Sequence, residues 1–231
     1  MMANHKLQVK EYYAKLANRY DALITRHRGL EELKRIIMKT AEVREGITVL
    51  DVGTGTGYYA IDFAKAIGKH GELVGIDIAP GMVKKARENA LKSSLSKPLF
   101  LAADGENIPF KSQLFDLVLC VNTLRYMSNP ARFMTGIIQI LKPEGKIILA
   151  DGDLSIITKK SDPSRVRQIL QKHGLEYFNF LRIRREGLSH LLTHDGLVKF
   201  LRNAGMKRVS SQLFRIFFII KASKPRHARE F

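Results

Sequence analysis

Several features are scarce in this sequence. It has one cysteine in 231 residues. No run comes near the ~18 apolar residues of a membrane-spanning helix. The start, Met-Met-Ala-Asn-His-Lys, lacks the apolar stretch of a secretory leader, and no internal repeat is visible. A lone thiol rules out an internal disulfide, and Cys120, set inside an apolar run, reads as a buried structural residue rather than a nucleophile. The missing leader and spans predict a cytoplasmic protein. Acidic residues are also few: 22 Asp and Glu stand against 39 Lys and Arg, a formal net charge of +17. The excess is uneven. Residues 1–45 carry 10 basic and 6 acidic side chains, residues 46–151 carry 12 and 10, and residues 152–231 carry 17 and 6. The basic last third points to an anionic partner or surface (phosphorylated substrate, nucleic acid or lipid headgroups); the plainer reading is a solubilising surface.

What is present is ordinary for a soluble globular protein, with 45% apolar and 26% charged residues and enough length to bury a substantial core in one domain. Helical spacing of Tyr13, Leu16, Ala17 and Tyr20 predicts a helix over 5–24, and Leu30, Leu33 and Ile37 predict another over 30–43. Tyr12, Tyr13 and Tyr20 read as core contacts in part, with a ligand-covering role for one of them as the minority reading. A regular alternation follows: strand 47–51, helix 58–68 stopped by Gly68, strand 72–77, helix 80–94 with Pro80 at its first position, strand 98–102, and a short helix near 106–108. Then come strand 115–121, helix 130–142 capped by Asn129, and strand 146–150. Residues 152–192 form a charged insertion with helix-like stretches at 164–173 and 176–192. A helix from Thr193 or His194 to Asn203 follows, and then strands 206–212 and 213–222. Apolar strands alternating with helices predict an α/β, doubly wound, mostly parallel seven-stranded sheet with an N-terminal helical cap. Ligands bind such sheets at the carboxyl ends of the strands, where Asp51, Asp77, Asp104, Asn122 and Asp151 all fall.

The stretch Ile-Thr-Val-Leu-Asp-Val-Gly-Thr-Gly-Thr-Gly-Tyr, residues 47–58, turns a strand over three glycines into a helix. Such a turn can hold a ligand against exposed backbone N–H groups. A mononucleotide loop would need Gly-Lys-Ser/Thr, and here Tyr58 and Tyr59 follow Gly57. A dinucleotide loop counted from Gly53 meets bulky Tyr58 at its third glycine position; counted from Gly55 it meets Ala60, so that option is weakened and stays open. A zwitterionic ligand with a positive charge suits the stretch better. The helix start favours a carboxylate, Asp51 an ammonium or sulfonium, and Asp77 two ribose hydroxyls. S-adenosylmethionine has that combination.

The series Val-Leu-Asp-Val-Gly-Thr-Gly-Thr-Gly, Val-Gly-Ile-Asp-Ile-Ala-Pro-Gly-Met, Ala-Ala-Asp-Gly-Glu-Asn-Ile-Pro-Phe, Phe-Asp-Leu-Val-Leu-Cys-Val-Asn and Leu-Lys-Pro-Glu-Gly-Lys-Ile-Ile-Leu resembles the class I S-adenosylmethionine-dependent methyltransferases. The opening Glu-Tyr-Tyr-Ala-Lys-Leu-Ala-Asn-Arg-Tyr-Asp is similar to the ubiquinone/menaquinone-biosynthesis type. The resemblance covers residues 8–151 strongly and 193–222 in outline. It implies an antiparallel last strand, S-adenosylmethionine as cofactor and S-adenosylhomocysteine as product. It places Gly53, Thr54, Gly55 and Gly57 against the methionine part and Asp77 on the ribose, and Asp51 and Tyr20 are counted among the cofactor-binding residues. It puts Ile78 and Met82 beside the adenine, Asp104 between Ala103 and Gly105 at the adenine amino group, and Asn122 and Thr123 near the sulfonium. Arg125 departs from the histidine that many quinone-type relatives carry. The implied layout is one methyltransferase domain over 1–222: a cap at 1–45, a cofactor-binding core at 46–151, an acceptor-side insertion at 152–192, and the last helix and strands at 193–222. A basic disordered tail follows at 223–231.

Methyl transfer from a sulfonium is mainly a matter of holding the acceptor in line, with a base needed only when the nucleophile sheds a proton. Asp153, His173, His190 and His194 are the candidate bases, each more simply read as an exposed loop or helix residue, so no catalytic residue is assigned. Asp151 and Asp153 resemble the acidic pair of catechol methyltransferases. The further acidic ligand is lacking, because Val121 and Asn122 stand there, and no metal is expected. The expected acceptor is a small or lipid-like molecule, anionic ones included, and the basic third could rest on an acidic membrane. RNA is the rival, carried by Arg182, Arg184, Arg185, Lys207, Arg208 and the tail; it lacks an appended recognition domain or an aromatic stacking surface. A cofactor-binding protein without catalysis is the third reading. Nothing in the sequence sets the oligomeric state.

Overall fold

Five apolar runs separated by helical periods become five parallel strands. The computed structural model describes residues 2–95, 97–153 and 193–226. Two helices come first, α1 (Met2–Thr25) and α2 (Arg28–Ala41). The alternation that follows is β1 (Thr48–Val52), α3 (Ala60–Ile67), β2 (Glu72–Asp77), α4 (Pro80–Lys92), β3 (Leu99–Ala102), β4 (Phe115–Val121), α5 (Pro130–Ile140) and β5 (Leu141–Gly152). The described chain closes with α6 (His194–Asn203), β6 (Lys207–Phe214) and β7 (Phe217–Ser223). Among the described residues the strands form one seven-stranded sheet in the order β3-β2-β1-β4-β5-β7-β6. β1 pairs in parallel with β2 and β4, β2 with β3, and β4 with β5, whereas β7 runs antiparallel between β5 and β6.

The core follows the predicted faces. Leu33 and Ile37 of α2, Phe63 and Ile67 of α3, Val83 and Ala86 of α4, Phe133 and Ile137 of α5 and Leu197 and Leu201 of α6 all bury their side chains. Leu117–Val121 of β4 and Phe217–Ile220 of β7 are buried residue after residue, as strands covered on both faces must be. Cys120 is buried and free, and burial pushes its thiol well up in pKa. The Asn129 side chain caps α5 by accepting the Arg132 N–H at 3.0 Å, and Thr193 caps α6 through the Gly196 N–H at 3.1 Å. No helix among the described residues is long and apolar enough to cross a membrane.

Three expectations are corrected. Residues 106–108 form a turn rather than a short helix, because the Asp104 carboxylate accepts the Glu106 N–H (2.9 Å) and its carbonyl the Asn107 N–H (2.9 Å). α5 ends at Ile140 and β5 starts at once, so the strand runs through Pro143 where a helix end and a gap were expected. The break between the last two strands lies at 215–216 rather than 212–213, with Arg215 at φ +57°. The stretches 164–173 and 176–192, the side chains of Arg182, Arg184 and Arg185, and the tail beyond Arg226 lie outside the described residues.

Candidate functional site

The strand order reverses between β1 and β4: the chain leaves β1 toward β2 and β3 on one side, then returns to β4 on the other. Loops diverge there, which leaves a crevice above the carboxyl ends. The glycine loop after β1 leans on β2, with the Gly53 and Thr54 N–H groups both donating to the Ile76 carbonyl at 2.8 and 3.0 Å. Gly53 has φ +74°, and a Cβ on it would come within 2.1 Å of the Thr123 hydroxyl oxygen. Gly55, at φ +54°, faces open space, with only the Tyr20 ring within 4 Å, at 3.8 Å. Asp77 fixes this loop: one carboxylate oxygen accepts the Gly55 N–H and the other the Ala79 N–H, each at 2.9 Å. Burial pushes Asp77 up to about 6 against the lowering by those two N–H groups. Asp51, 2% exposed in β1, is pushed up to about 7 by burial, with the Asp77 charge adding to it, and its Oδ2 has no hydrogen-bond partner among the described residues.

The far rim is charged. Asp104 Oδ1 accepts the Glu106 N–H, and Oδ2 accepts from Lys6 Nζ (2.7 Å) and Asn107 Nδ2 (2.9 Å). Burial alone would raise Asp104; the bond to Lys6 and its fellow donors outweigh it and hold the carboxyl below its ordinary value. α1 crosses the opening. Tyr13 meets Tyr126 edge-on at 5.4 Å between ring centres, with a hydrogen bond between the two hydroxyls, and meets Tyr20 edge-on at 6.1 Å. At the other end of α1, Asp21 accepts the Thr56 hydroxyl (2.5 Å) and the Asn89 amide (2.8 Å).

One cavity results, with about 740 Å³ of space between atoms when its solvent-filled mouth is included. Of the residues expected from sequence, Tyr20, Gly53, Gly55, Asp77, Ile78, Met82, Ala103, Asp104, Gly105, Asn122 and Thr123 line it. Three do not. Asp51 lies beneath it in β1, and Thr54 lines an adjoining chamber with Tyr58, Tyr59, Arg125 and Tyr13 and Tyr20 of α1. Gly57 is turned toward Ile61 and Ala86. Asp151 does not line the crevice either; it is buried against Arg125, with which it forms an ion pair. Sequence reasoning missed Lys6, Glu106, Tyr126 and Met127 on the wall. Of the candidate bases, Asp153 is 2% exposed at the end of β5 rather than in an open loop. His194 binds Asp195 and Ser211, each at 2.8 Å, outside the cavity lining. His173 and His190 lie outside the described residues.

The residues present fit a nucleoside with a charged tail. An apolar slot at Ile78, Met82 and Ala103 lies between two carboxylates, a glycine cradle opens beside Asp77, and an unpartnered acceptor oxygen sits below it on Asp51. The fold and this crevice define the class I methyltransferase architecture. The methyltransferase-domain family matches residues 43–186, and the chain belongs to that family, whose cofactor is S-adenosylmethionine. The chain is 34% identical over 151 residues to the ubiquinone/menaquinone biosynthesis C-methyltransferase UbiE of Bordetella parapertussis, covering 64% of this chain and 58% of that protein. To its counterpart from Laribacter hongkongensis it is 33% identical over 146 residues, covering 62% and 59%. The match thus spans under two thirds of the length of these relatives. Among solved structures, a SAM-dependent methyltransferase of Aquifex aeolicus shares the fold at TM-score 0.60 and 23% identity, over 82% of this chain and 88% of that one. Phosphoethanolamine N-methyltransferase 2 of Haemonchus contortus, solved with S-adenosylhomocysteine, does so at TM-score 0.63 and 14% identity, over 84% and 53%.

Proposed function

We propose that this chain is an S-adenosylmethionine-dependent methyltransferase acting on a small or lipid-like acceptor, with residues 1–222 working as one unit. The observation that carries the reading is the single cavity in which the glycine loop, Asp77, Asp104 and the Asn122-Thr123 pair converge. In it Asp104 takes the adenine amino group, Ile78 and Met82 flank the ring, Asp77 takes the ribose hydroxyls, and Gly53–Gly55 leave room for the methionine part. S-adenosylmethionine supplies a methyl carbon activated by its sulfonium, and S-adenosylhomocysteine is the product. Asn122 and Thr123 border the end where that methyl would lie, and Tyr13 and Tyr20 of α1 shield it from water, so the chain's contribution is alignment and desolvation. The adjoining chamber, walled by Ile24, Leu30, Tyr58 and Tyr59, is where the acceptor would sit. Its apolar and aromatic walls favour a small molecule over a polynucleotide, and the quinone-pathway names of the relatives point the same way. Arg125, at its floor, is a guanidinium held protonated by Asp151 and cannot accept a proton.

Incubation with methyl-labelled S-adenosylmethionine and fractionated extract tests this. Label is expected in the lipid or small-molecule fraction. Label in RNA, lost steeply with added salt, would transfer the assignment to the rival acceptor. Tight cofactor binding with no label transferred to any fraction would leave a binding protein in place of an enzyme.

A further inference from the structure

Lys6 lies near the N-terminal end of α1, and its ammonium sits 2.7 Å from Asp104 Oδ2 and 2.7 Å from Glu106 Oε2. Glu106 also accepts the backbone N–H groups of Ser128 and Asn129, the latter at 3.0 Å, at the entry to α5. One ammonium therefore ties α1 to the loop after β3 and, through Glu106, to the start of α5. These segments wall the cavity at its nucleoside end. The other end of α1 is held differently. Asp21 is bonded to Thr56 and Asn89, and Ala17 packs on Ala79 and Met82. The helix is pinned at its C-terminal end by buried contacts; toward its N-terminal end the partly exposed Lys6 bridge is the ionic tie, beside the His5 ring against the Tyr126 carbonyl (3.2 Å) and the Tyr13–Tyr126 hydroxyl pair.

An ionised carboxylate has about four acceptor positions. At Asp104 three are used, by the Glu106 N–H, Lys6 and Asn107, which leaves one on Oδ1. An adenine amino group and Lys6 can thus share Asp104, so the closed helix is compatible with a filled cavity. The two carboxylates would repel each other without the cation between them. The two carboxylates also outweigh the effect of burial and raise the Lys6 pKa, so the bridge stays charged at neutral pH.

We propose that Lys6 is the latch of the cofactor cavity: its double ion pair holds α1 shut over the nucleoside end, and its opening admits S-adenosylmethionine and releases S-adenosylhomocysteine. The inference rests on the cofactor reading above. With Lys6 and Asp104 each 26% exposed, water reaches the bridge and lets it open on each turnover, where a fully buried pair would trap the ligand.

The test is retention of tritiated S-adenosylhomocysteine by the full chain, chased with excess unlabelled compound. Lys6→Met is expected to release it about fivefold faster, the scale of one modest ion pair, and Lys6→Arg to restore slow release. Raising salt from about 50 to about 500 mM should speed release from wild type and leave Lys6→Met unchanged, because only the former has a pair to screen. Glu106→Gln, which keeps one half of the latch, should fall between them and serves if Lys6→Met does not fold. Equal release from wild type and both variants, all binding the ligand, overturns the latch and leaves the cofactor reading standing. No retention by wild type overturns both.

Discussion

Asp77, the last residue of β2, accepts the N–H of Gly55 in the loop after β1 at 2.9 Å, so one carboxylate holds the shape of the neighbouring strand's turn. The same side chain accepts the Ala79 N–H and faces the cavity. The loop's support and the proposed ribose contact therefore meet in one residue.

Asp77→Ala leaves both N–H groups without their acceptor, at about 1–3 kcal/mol for each that water does not satisfy. Urea denaturation should show that loss, and calorimetry should show no S-adenosylmethionine binding. Asp77→Asn, which accepts through one oxygen only, should fall between. An Asp77→Ala protein of unchanged affinity would remove Asp77 from the site.

The glycines separate strain from space. Gly53→Ala puts a Cβ into the Thr123 side chain at a φ of +74° and should cost roughly 1–3 kcal/mol of stability. Gly55→Val meets little beyond the Tyr20 ring, and its branched side chain projects into the cavity. It should pay a similar backbone penalty and, as a folded variant, lose cofactor binding altogether. Gly136, in α5 with nothing within 4 Å of a built Cβ, is the control: Gly136→Ala should stabilise by about 0.5–1 kcal/mol. Calorimetric affinity for a folded Gly55→Val equal to that of wild type would sink the placement of the ligand.

Two buried carboxyls make the ligand-free protein pH-sensitive. Asp51 is raised to about 7 and Asp77 to about 6, both chiefly by burial. A raised carboxyl favours the folded state while protonated. Its contribution is full below the ordinary value near ~4 and is lost as pH climbs through the folded value. Asp51→Asn removes the titration and keeps the shape. The melting temperature of the variant minus that of wild type should therefore grow from about pH 4 to about pH 7 and level off above. A flat difference across that window would mean that Asp51 carries its charge at no cost.

Much of this was legible because it is periodic or local. Strands β2 and β4 fall on the predicted residues, since an apolar run between Gly71 and Pro80 and another between the polar stretches Lys111–Gln113 and Asn122–Thr123 leave little choice, and the caps at Asn129 and Thr193 are single-residue signals. Asp51, Asp77 and Asp104 stood out because each lies within two residues of the carboxyl end of its strand. Lys6 was invisible: its partner Asp104 is 98 residues away, and a lysine on an amphipathic helix reads as solvated. The turn at Arg215 was missed for the opposite reason, a left-handed residue that is neither glycine nor asparagine. Residues 106–108 were misread because the helix-like local sequence lost its N–H groups to Asp104. The depth of Asp151 was also hidden, since a strand-end carboxylate looks the same from sequence whether it faces the ligand or a guanidinium.

That guanidinium supports the last prediction. Arg125, 8% exposed, pairs with Asp151 and donates to the Asn122 side chain at 2.9 Å, and Asn122 has a left-handed backbone at φ +54°. Arg125→Ala strands a buried carboxylate and should cost about 3–5 kcal/mol, whereas Arg125→Met with Asp151→Leu removes both charges together and should recover at least roughly half of that. Arg125→His, the residue common in quinone-type relatives, is too short to reach both Asp151 and Asn122 and should behave more like the alanine variant in denaturation. Its effect on turnover follows from Asn122. With its amide oxygen released, the side chain proposed to border the transferred methyl is no longer fixed, so kcat should fall more than cofactor affinity. If Arg125→His were as stable and as active as wild type, the ion pair would be filling space beneath the site rather than positioning it.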